Sequence, residues 1–296
     1  MKRIIAVLLA AVMLVSLCAC GSSGKKQGPV IRVGSKDFTE SLIVSEIYAL
    51  ALEDAGYPVE RSQNIAGSVV HTAITSGEID LYPEYTGTGL LAVLRLPMNS
   101  DPVEVYNIVK SAYNEQFQIT WLDSTAINNR NGMAVRTDVA ERYGIHTMSD
   151  LQREAGHIRV CSQGEFEYRE DGIPGLTKVY GPFNFASINV YDNGIKYQIL
   201  EQDEADCCPG YSTDAQLVNH ERFTYLEDDL GFWPPYYLAP VIRNEVLEAN
   251  PEIAGILNAV SAKLDTETMI ALNAKVDIDH REYDEVANEF FTANCK

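Results

Sequence analysis

The sequence predicts an α/β protein with two lobes, and three observations support that prediction. Short apolar segments alternate with helical stretches from Val30 onward. A second run of the same kind begins near Gly132, and after Pro240 we expect helix for most of the remaining length. Alternating β and α segments form mainly parallel sheets flanked by helices, so each run predicts one such lobe. We expect the carboxyl-terminal helices to pack back on the first lobe.

The first run divides into elements at turn and capping residues. In chain order we expect a strand at Val30–Val33, a helix from Thr39 to Gly56, an extended segment from Pro58, a helix from Gly67 to Gly77, a strand at Ile79–Tyr82 and a helix that starts at Thr86–Thr88. In the first helix the apolar residues Leu42, Ile43, Ile47 and Leu50 recur at helical spacing. An acidic residue after Thr39 and a glycine at position 56 are ordinary start and stop signals.

The second run repeats this rhythm. We expect strands at Gly132–Val135 and His157–Cys161, helices at Asp138–Tyr143, Ser149–Ala155 and Asn193–Gln202, and extended segments at Asp206–Cys208 and Phe223–Leu226. Near the carboxyl end, Ile253, Ile256, Leu257 and Val260 stand at helical spacing. Ligands of parallel α/β sheets bind at the carboxyl ends of strands, so the loops there are where binding residues are expected.

The amino terminus predicts an exported lipoprotein. Met1–Arg3 is basic, and the apolar run Ile4–Leu17 is too short to span a bilayer, which needs roughly 20 residues. A small residue, Ala19, precedes Cys20, which we assign as the lipidated cysteine; an ordinary secretory signal cut near Ala19 is the alternative. Residues 1–20 are thus a signal peptide, and the small polar residues 21–29 are a flexible tether. We expect an extracytoplasmic protein, lipid-anchored to the cell membrane.

Composition excludes some partners. The formal net charge of −19 and a sequence pI near 4.6 argue against nucleic acid, which needs a basic surface. No second stretch after residue 20 is long and apolar enough to cross a membrane, so transport would need separate membrane partners.

The sequence contains no persuasive set of catalytic or metal-binding residues. There is no G-x-S-x-G elbow, no H-E-x-x-H and no Walker-type loop, so we do not expect an enzyme. Four further cysteines, at positions 161, 207, 208 and 295, fit no zinc spacing. We expect them to be small buried residues, although a disulfide is open outside the cytoplasm. We expect no metal and no cofactor.

Aromatic residues in loops are more informative. Tyr85 follows a strand, Tyr211 lies between a strand and a helix start, and Phe232–Tyr237 is an aromatic loop held by two prolines. A desolvated cation gains on the order of 0.5–2 kcal/mol from each good aromatic face. Converging tyrosines would therefore suit a quaternary ammonium group, which cannot donate strong hydrogen bonds. The alternative is that these aromatics fill a core or an interface between lobes.

Two long motifs, Gly34–Glu40 (GSKDFTE) and Gly77–Thr88 (GEIDLYPEYTGT), resemble those of the substrate-binding proteins of osmoprotectant ABC importers. Shorter matches in the same order are Glu165-Phe166, Arg169, Asp171-Gly172, Tyr211–Asp214, Asp228-Asp229 and Pro234–Tyr236. The resemblance runs from about Val30 to the end of the chain. It implies a type II periplasmic-binding-protein fold that closes over glycine betaine, carnitine, choline or a related compound.

The resemblance also implies the binding residues. The family's tyrosine cage corresponds to Tyr85, Tyr211 and Tyr236, with Thr88 lining the same pocket. Arg169 corresponds to the arginine that meets a ligand carboxylate, where a guanidinium can bind bidentately. Further positions implied to shape the pocket are Glu165, Asn129, Lys36 and Asp37.

One departure from the family pattern affects the ligand. Asn131 stands where a fourth cage tyrosine is expected, which removes an aromatic face and adds an amide. Trp233 or Tyr237 could supply the lost face. The amide also suits a larger polar ligand, and some relatives bind ergothioneine, a trimethylammonium betaine with a thioimidazole ring. The ligand therefore stays open between a smaller betaine, carnitine or choline and ergothioneine.

The resemblance implies partners and a division of the chain. We expect a monomer that binds its small ligand without chemistry and docks on an ABC permease driven by an ATPase. Residues 30–127 and 237–296 would form lobe 1, and residues 128–236 lobe 2. A secreted enzyme and a surface solute sensor are the rival classes.

Overall fold

The computed structural model describes residues 29–296. The expected signal peptide (1–20), the lipidated Cys20 and the tether up to residue 28 lie outside the described residues. Among residues 29–296, no helix has the length and apolar character needed to cross a membrane.

Lobe 1 is built on a five-stranded sheet in the order β2-β1-β3-β10-β4. Its strands are β1 (Ile31–Lys36), β2 (Val59–Ile65), β3 (Leu81–Tyr85), β4 (Ile119–Trp121) and β10 (Leu238–Arg243). Four strands run in one direction, and β10 is antiparallel to both of its neighbours. The helices are α1 (Thr39–Asp54), α2 (Gly67–Ser76), α3 (Thr86–Thr88), which continues as a π-helical segment (Gly89–Val93), α4 (Pro102–Phe117), and the carboxyl-terminal α9 (Asn244–Ala249), α10 (Glu252–Ser261), α11 (Thr266–Asp277) and α12 (Tyr283–Asn294).

Lobe 2 is built on a second five-stranded sheet in the order β7-β6-β8-β5-β9. Its strands are β5 (Asn131–Arg136), β6 (Arg159–Ser162), β7 (Ser187–Val190), β8 (Cys207–Tyr211) and β9 (Phe223–Tyr225). Again four strands share one direction, and β5 is antiparallel to β8 and β9. Its α-helices are α5 (Thr137–Tyr143), α6 (Met148–Glu154), α7 (Ile173–Tyr180) and α8 (Lys196–Glu201), and its 3-10 turns are Ala155–His157, Glu165–Glu167, Asn193–Ile195 and Ala215–Val218.

Apolar side chains cover both faces of each sheet. In lobe 1, Leu81 and Ile242 belong to the larger core cluster, while their neighbours Tyr82 and Val241 belong to a second cluster with Trp121. This alternation follows from the two-residue period of a strand. Since both faces are packed by helices, these sheets are buried, as expected for α/β proteins.

The two lobes therefore have the fold class that the sequence predicts, each a sheet flanked by helices with most strands parallel. Helix fills most of the chain after Pro240, as predicted, but it begins only after β10, an unpredicted strand that ends at Arg243. Pro240 faces Pro83 across the β10–β3 pair, so the two missing N–H groups fall on the same rung. The described structure also contains α4, α7 and β7, which the sequence analysis did not predict.

Candidate functional site

A cavity of about 230 Å³ lies between the two lobes, at the ends of strands from both sheets. It is lined by ten of the eleven residues expected from the sequence, which are Lys36, Asp37, Tyr85, Thr88, Asn129, Asn131, Glu165, Arg169, Tyr211 and Tyr236. The eleventh, Trp233, does not line the cavity.

The strands explain why residues distant in sequence meet here. Lys36 ends β1, Tyr85 ends β3 and Tyr211 ends β8, and these strands point their carboxyl ends towards the same cleft. The chain then turns immediately into a loop or helix, which leaves the following side chains at the cleft. The site is therefore a direct product of the α/β arrangement in both lobes.

The hydroxyl groups of the three expected cage tyrosines all donate to acceptors of the protein. Tyr85 donates to Glu40 Oε1 at 2.8 Å, Tyr211 to Gln163 Oε1 at 2.9 Å and Tyr236 to Asp171 Oδ2 at 2.8 Å. Burial, assisted at Tyr85 by the charge of Glu40 and at Tyr236 by that of Asp171, raises the pKa of both phenols well above the ordinary value. The rings therefore stay neutral, with orientations fixed by hydrogen bonds.

Phe38 is a cavity residue that the sequence analysis did not select. Its ring centroid lies 6.0 Å from that of Tyr85 and 6.2 Å from that of Tyr211, stacked against the latter with an interplanar angle of 22°. Phe38 thus joins a tyrosine of lobe 1 to a tyrosine of lobe 2. The sequence feature that could have identified Phe38 as a cavity residue is its position inside the GSKDFTE motif, between Asp37 and the first helix.

Arg169 is held by carboxylates in this structure. Its Nε and Nη2 atoms donate to Asp171 at 2.7 and 2.6 Å, and its Nη1 atom donates to Glu165 at 3.5 Å. Burial alone would raise the pKa of Asp171, but the neighbouring guanidinium outweighs burial and holds that pKa below its ordinary value. Asn131 also donates to Asp171, at 3.3 Å. Asp171 therefore organises this wall of the cavity, a role that its sequence motif did not reveal.

Protein ammonium groups lie over two of the tyrosine rings. Lys36 Nζ is 5.1 Å from the ring centroid of Tyr85 and forms a buried ion pair with Glu84. Lys196 Nζ is 4.3 Å from the centroid of Tyr211 and 2.7 Å from Asp214. Lys196 is buried and does not line the cavity. Its ammonium group therefore covers the side of the Tyr211 ring that faces away from the cavity.

Trp233 lies behind the cavity wall instead of in it. Its indole Nε1 donates to the backbone carbonyl of Asp171 at 2.9 Å, and the ring is buried. Tyr237 does not line the cavity either. Neither residue replaces the aromatic face that Asn131 removes; the Asn131 amide instead donates to the hydroxyl of Tyr236 at 3.0 Å.

The described residues hold no cluster of three or more His, Cys, Asp or Glu that could bind a metal ion. Cys161, Cys207 and Cys208 are buried free thiols, and Cys295 is half-buried. Burial raises the pKa of the Cys161 thiol to about 11. Buried thiols with raised pKa values are poor nucleophiles and poor metal ligands.

Comparison with protein families gives one match over almost the whole described chain. The family model described as the substrate binding domain of ABC-type glycine betaine transport systems matches residues 29–293.

Among curated proteins, the carnitine transport binding protein OpuCC of Listeria monocytogenes is 32% identical over 291 residues, 97% of this chain and 94% of that protein. The glycine betaine-binding protein YehZ of Escherichia coli is 33% identical over 291 residues, covering 94% of each. An ergothioneine transport permease/ergothioneine binding protein, EgtU of Helicobacter pylori, is 32% identical over 260 residues; the match spans 87% of this chain but only 46% of that longer protein.

Solved structures have the same fold. The crystal structure of a glycine betaine/carnitine/choline ABC transporter protein superposes with a TM-score of 0.70 at 28% identity, covering 89% of this chain and 98% of that one. A lactococcal OpuAC, closed around glycine betaine, superposes with a TM-score of 0.62 at 12% identity over 90% and 96% of the two chains. At that identity the second comparison supports the fold alone.

Proposed function

This chain belongs to the family of substrate-binding domains of ABC-type glycine betaine transport systems, and from that premise we propose that it binds a quaternary-ammonium compound between its two lobes. Its relatives are transport binding proteins, and we propose that it too binds without catalysis. The ligands that we propose first are glycine betaine, carnitine and choline.

One observation carries the proposal: six aromatic residues line a single cavity between the lobes, and four of them form the proposed cage. Tyr85 and Phe38 come from lobe 1, Tyr211 comes from lobe 2, and Tyr236 lies on the segment that leads back to β10. A cation enclosed by such rings gains on the order of 0.5–2 kcal/mol from each well-placed face. A ligand that touches both lobes would favour the closed arrangement, because its contacts are complete only there.

Arg169 supports a ligand that also carries a carboxylate. Asp171 occupies two of its nitrogens, but Nη1 has only the 3.5 Å contact with Glu165. That nitrogen is the part of the guanidinium that we assign to a ligand carboxylate. The proposed binding set is Lys36, Asp37, Phe38, Tyr85, Thr88, Asn129, Asn131, Glu165, Arg169, Tyr211 and Tyr236.

Ergothioneine is the second candidate, and a specific observation favours it. Asn131 replaces one aromatic face with an amide, and one relative, 32% identical, carries the name of an ergothioneine binding protein. A betaine with a polar ring would find more partners around Asn131, Gln163 and Glu165 than glycine betaine does.

Calorimetric titration with glycine betaine, proline betaine, choline, carnitine and ergothioneine tests the proposal. We expect at least one of these ligands to bind with a measurable heat and to saturate at one molecule per chain. Absence of heat from all five, with protein shown to be folded by circular dichroism, would exclude the quaternary-ammonium function. A surface solute sensor would also bind, and the absence of permease and ATPase genes beside this one would favour that role.

We propose that Cys20 carries a lipid anchor and that the chain works outside the cytoplasm with a membrane permease and its ATPase. Labelling with an alkyne fatty acid should mark the wild-type chain and leave Cys20→Ala unlabelled.

We also propose that residues 30–127 and 237–296 form lobe 1 and that residues 128–236 form lobe 2. Ligand should then change amide hydrogen exchange at the two crossings near residues 128 and 236, whereas changes confined to one lobe would contradict closure.

A further inference from the structure

The cavity contains many hydrogen-bond acceptors for a site that would hold only a simple betaine. Three of its carboxylates are not committed to an ammonium or bidentate guanidinium partner: Asp37 from lobe 1, and Glu165 and Asp192 from lobe 2. Glu165 reaches across to lobe 1, since a Cβ placed on Gly67 would lie 3.6 Å from its Oε2 atom. Partial burial, and next the charges of Glu165 and Asp192, raise the pKa of Asp37. The Asp37 carboxylate accepts the Gly67 N–H and Glu165 lies beside Gly67, so Asp37 and Glu165 are neighbours across the cleft; Asp192 accepts the Gly194 N–H at 2.8 Å through one of its oxygens.

Most of the donor side chains of the cavity wall are already in use. Lys36 donates to Glu84, Tyr85 to Glu40, Tyr211 to Gln163 and Tyr236 to Asp171. Arg169 spends two nitrogens on Asp171 and contacts Glu165 with the third. A ligand that enters this cavity thus meets the oxygens of three carboxylates, whereas the open donors among the described lining residues are Arg169 Nη1, the Thr88 hydroxyl and the Asn193 amide nitrogen.

A buried acceptor of the wall gives independent evidence. Asn129 lines the cavity and is only 5% exposed. Its Nδ2 atom donates to Glu40 at 2.9 Å, which leaves Oδ1 as the remaining polar atom of the amide. Within residues 29–296 this buried Oδ1 atom accepts no hydrogen bond. A buried acceptor without a partner is unfavourable, and buried polar groups of proteins are nearly always satisfied. The Asn129 side chain borders the cavity, so a donor of the ligand would satisfy this oxygen once ligand binding turns the amide towards the cavity.

We propose that the physiological ligand carries, besides its quaternary ammonium group, at least one hydrogen-bond donor, a hydroxyl or a ring N–H, that the acceptors of this cavity bind. The inference rests on the proposed function and narrows its ligand class. Glycine betaine has no donor, so it would leave Asn129 Oδ1 and the three carboxylates without ligand partners. Hydroxylated amines such as choline and carnitine, and betaines with an imidazole or thioimidazole ring, meet the requirement.

Two matched ligand pairs test the proposal on the wild-type protein by calorimetry. Choline is compared with propyltrimethylammonium, in which a methyl group replaces the hydroxyl. Histidine betaine is compared with its ring N-methyl derivative, which has lost the ring N–H. In whichever pair binds, we expect the donor-bearing member to bind at least about 10-fold more tightly, although its partner is more apolar.

Equal affinity of the two members of a pair that binds would overturn the proposal. So would binding of glycine betaine or tetramethylammonium by a protein to which neither donor-bearing compound binds. In both outcomes the quaternary-ammonium function survives. Failure of every compound, including tetramethylammonium and the five ligands of the calorimetric panel, would instead reject the proposed function itself, so the two failures are distinguishable.

Substitution of the three cavity carboxylates tests which of them accepts the hydrogen bond from the ligand. In Asp37→Ala, Glu165→Ala and Asp192→Ala we expect the affinity ratio within the binding pair to fall at least about 5-fold in one or more variants. Glu167→Ala is the matched control, because Glu167 lies on the same 3-10 turn as Glu165 but is exposed and does not line the cavity. An unchanged ratio in all three carboxylate variants would overturn their assignment as acceptors.

Discussion

Glu40 illustrates how a residue outside the expected site can define it. The carboxylate is buried at the start of α1 and accepts hydrogen bonds from Tyr85 at 2.8 Å and Asn129 at 2.9 Å. Asn273 of α11 donates to its second oxygen at 3.4 Å. Because Tyr85 and Asn129 both line the cavity, Glu40 fixes two of its walls at once. Its partners lie far apart in sequence, so no local pattern could indicate this role.

Replacing Glu40 by Gln should change the pH dependence of stability. Burial raises the pKa of Glu40 above its ordinary value of 4.5, although donors from Thr213, Asn129, Tyr85 and Asn273 oppose the shift. The folded protein then holds this proton more tightly than the unfolded chain does. The contribution of Glu40 to the free energy of unfolding is therefore full below about pH 4.5 and decreases as pH rises through the folded pKa.

Urea unfolding of the wild type and Glu40→Gln across pH 4–8 measures this effect. We expect the stability of the wild type relative to the variant to decrease with rising pH and then to level off. The amide keeps an acceptor for Tyr85 and does not titrate. A difference in stability that is constant over this range would contradict the raised pKa.

Tyr211 and Tyr236 should respond differently to truncation. Tyr236 is only 2% exposed and its hydroxyl bonds Asp171, so Tyr236→Ala should cost about 3–5 kcal/mol of stability as well as ligand affinity. Tyr211 is partly exposed at the cavity, so Tyr211→Ala should lower affinity at least about 10-fold at a much smaller cost in stability. Calorimetric binding and thermal melting of the unliganded variants separate the two effects.

Tyr211→Phe is the control for this comparison. It keeps the aromatic face and loses only the hydrogen bond to Gln163, so its affinity should stay within a few-fold of the wild type. Equal affinity of Tyr211→Ala and the wild type would remove Tyr211 from the proposed cage.

At the scale of elements, the Tyr236 ring packs against Gly87 of α3, where only a residue without a side chain leaves room for it. A Cβ atom on Gly87 would lie 2.6 to 2.8 Å from three atoms of the Tyr236 ring. Gly87→Ala should therefore displace the Tyr236 ring, destabilise the protein by about 1–3 kcal/mol and weaken ligand binding.

Gly255→Ala in α10 is the matched control, since no heavy atom lies within 4 Å of the added Cβ there. It should stabilise the protein by up to about 1 kcal/mol and leave affinity unchanged. Normal affinity in Gly87→Ala would show that the ring position is not critical.

The two sheets repeat one structural device that sequence spacing did not reveal. In lobe 1, Arg32 of β1 donates through its backbone N, Nε and Nη2 to Asp80, which lies just before β3. In lobe 2, Arg159 of β6 makes the same three bonds to Asp206, just before β8. The strand orders also correspond, with one antiparallel strand inserted second from an edge in each sheet. Each arginine–aspartate pair thus links one parallel strand of a lobe, β1 or β6, to the segment leading to its binding-site strand, β3 or β8.

The sequence predicted elements where local signals and periodicity agreed, as in α1 and α2. It did not predict β10, since a proline inside a strand argues against that assignment, and the pairing of Pro240 with Pro83 exists only after folding. Helix α4 had usable signals, an Asp101 N-cap followed by Pro102. The motif-derived site residues came together, whereas Phe38, Glu40 and Asp171 act through contacts that exist only after folding.

At the scale of the whole molecule, the lobes are joined by more than the ligand. The chain crosses between the sheets after β4 and again before β10, and α11 of lobe 1 reaches lobe 2 through Asn273, whose amide donates to the Thr213 carbonyl at 3.0 Å. Asn129 and Tyr236, beside the two crossings, line the cavity together with Tyr211 and Arg169, for which ligand contacts are proposed. A bound ligand would therefore complete a second set of links between lobes that already share a polar junction.

Ligand binding should consequently stabilise both lobes in one unfolding transition. A ligand at 100 times its Kd adds about 2.7 kcal/mol to the free energy of unfolding, which corresponds to a rise in Tm of roughly 5–10 °C for a chain of this size. Differential scanning calorimetry with the tightest ligand of the panel should show a single peak that moves as a whole. Tyr211→Ala at the same ligand concentration should move less, because it has lost a contact from lobe 2. Two peaks, of which the ligand moves only one, would mean that the ligand binds a single lobe, and the cavity between the lobes would not be the binding site.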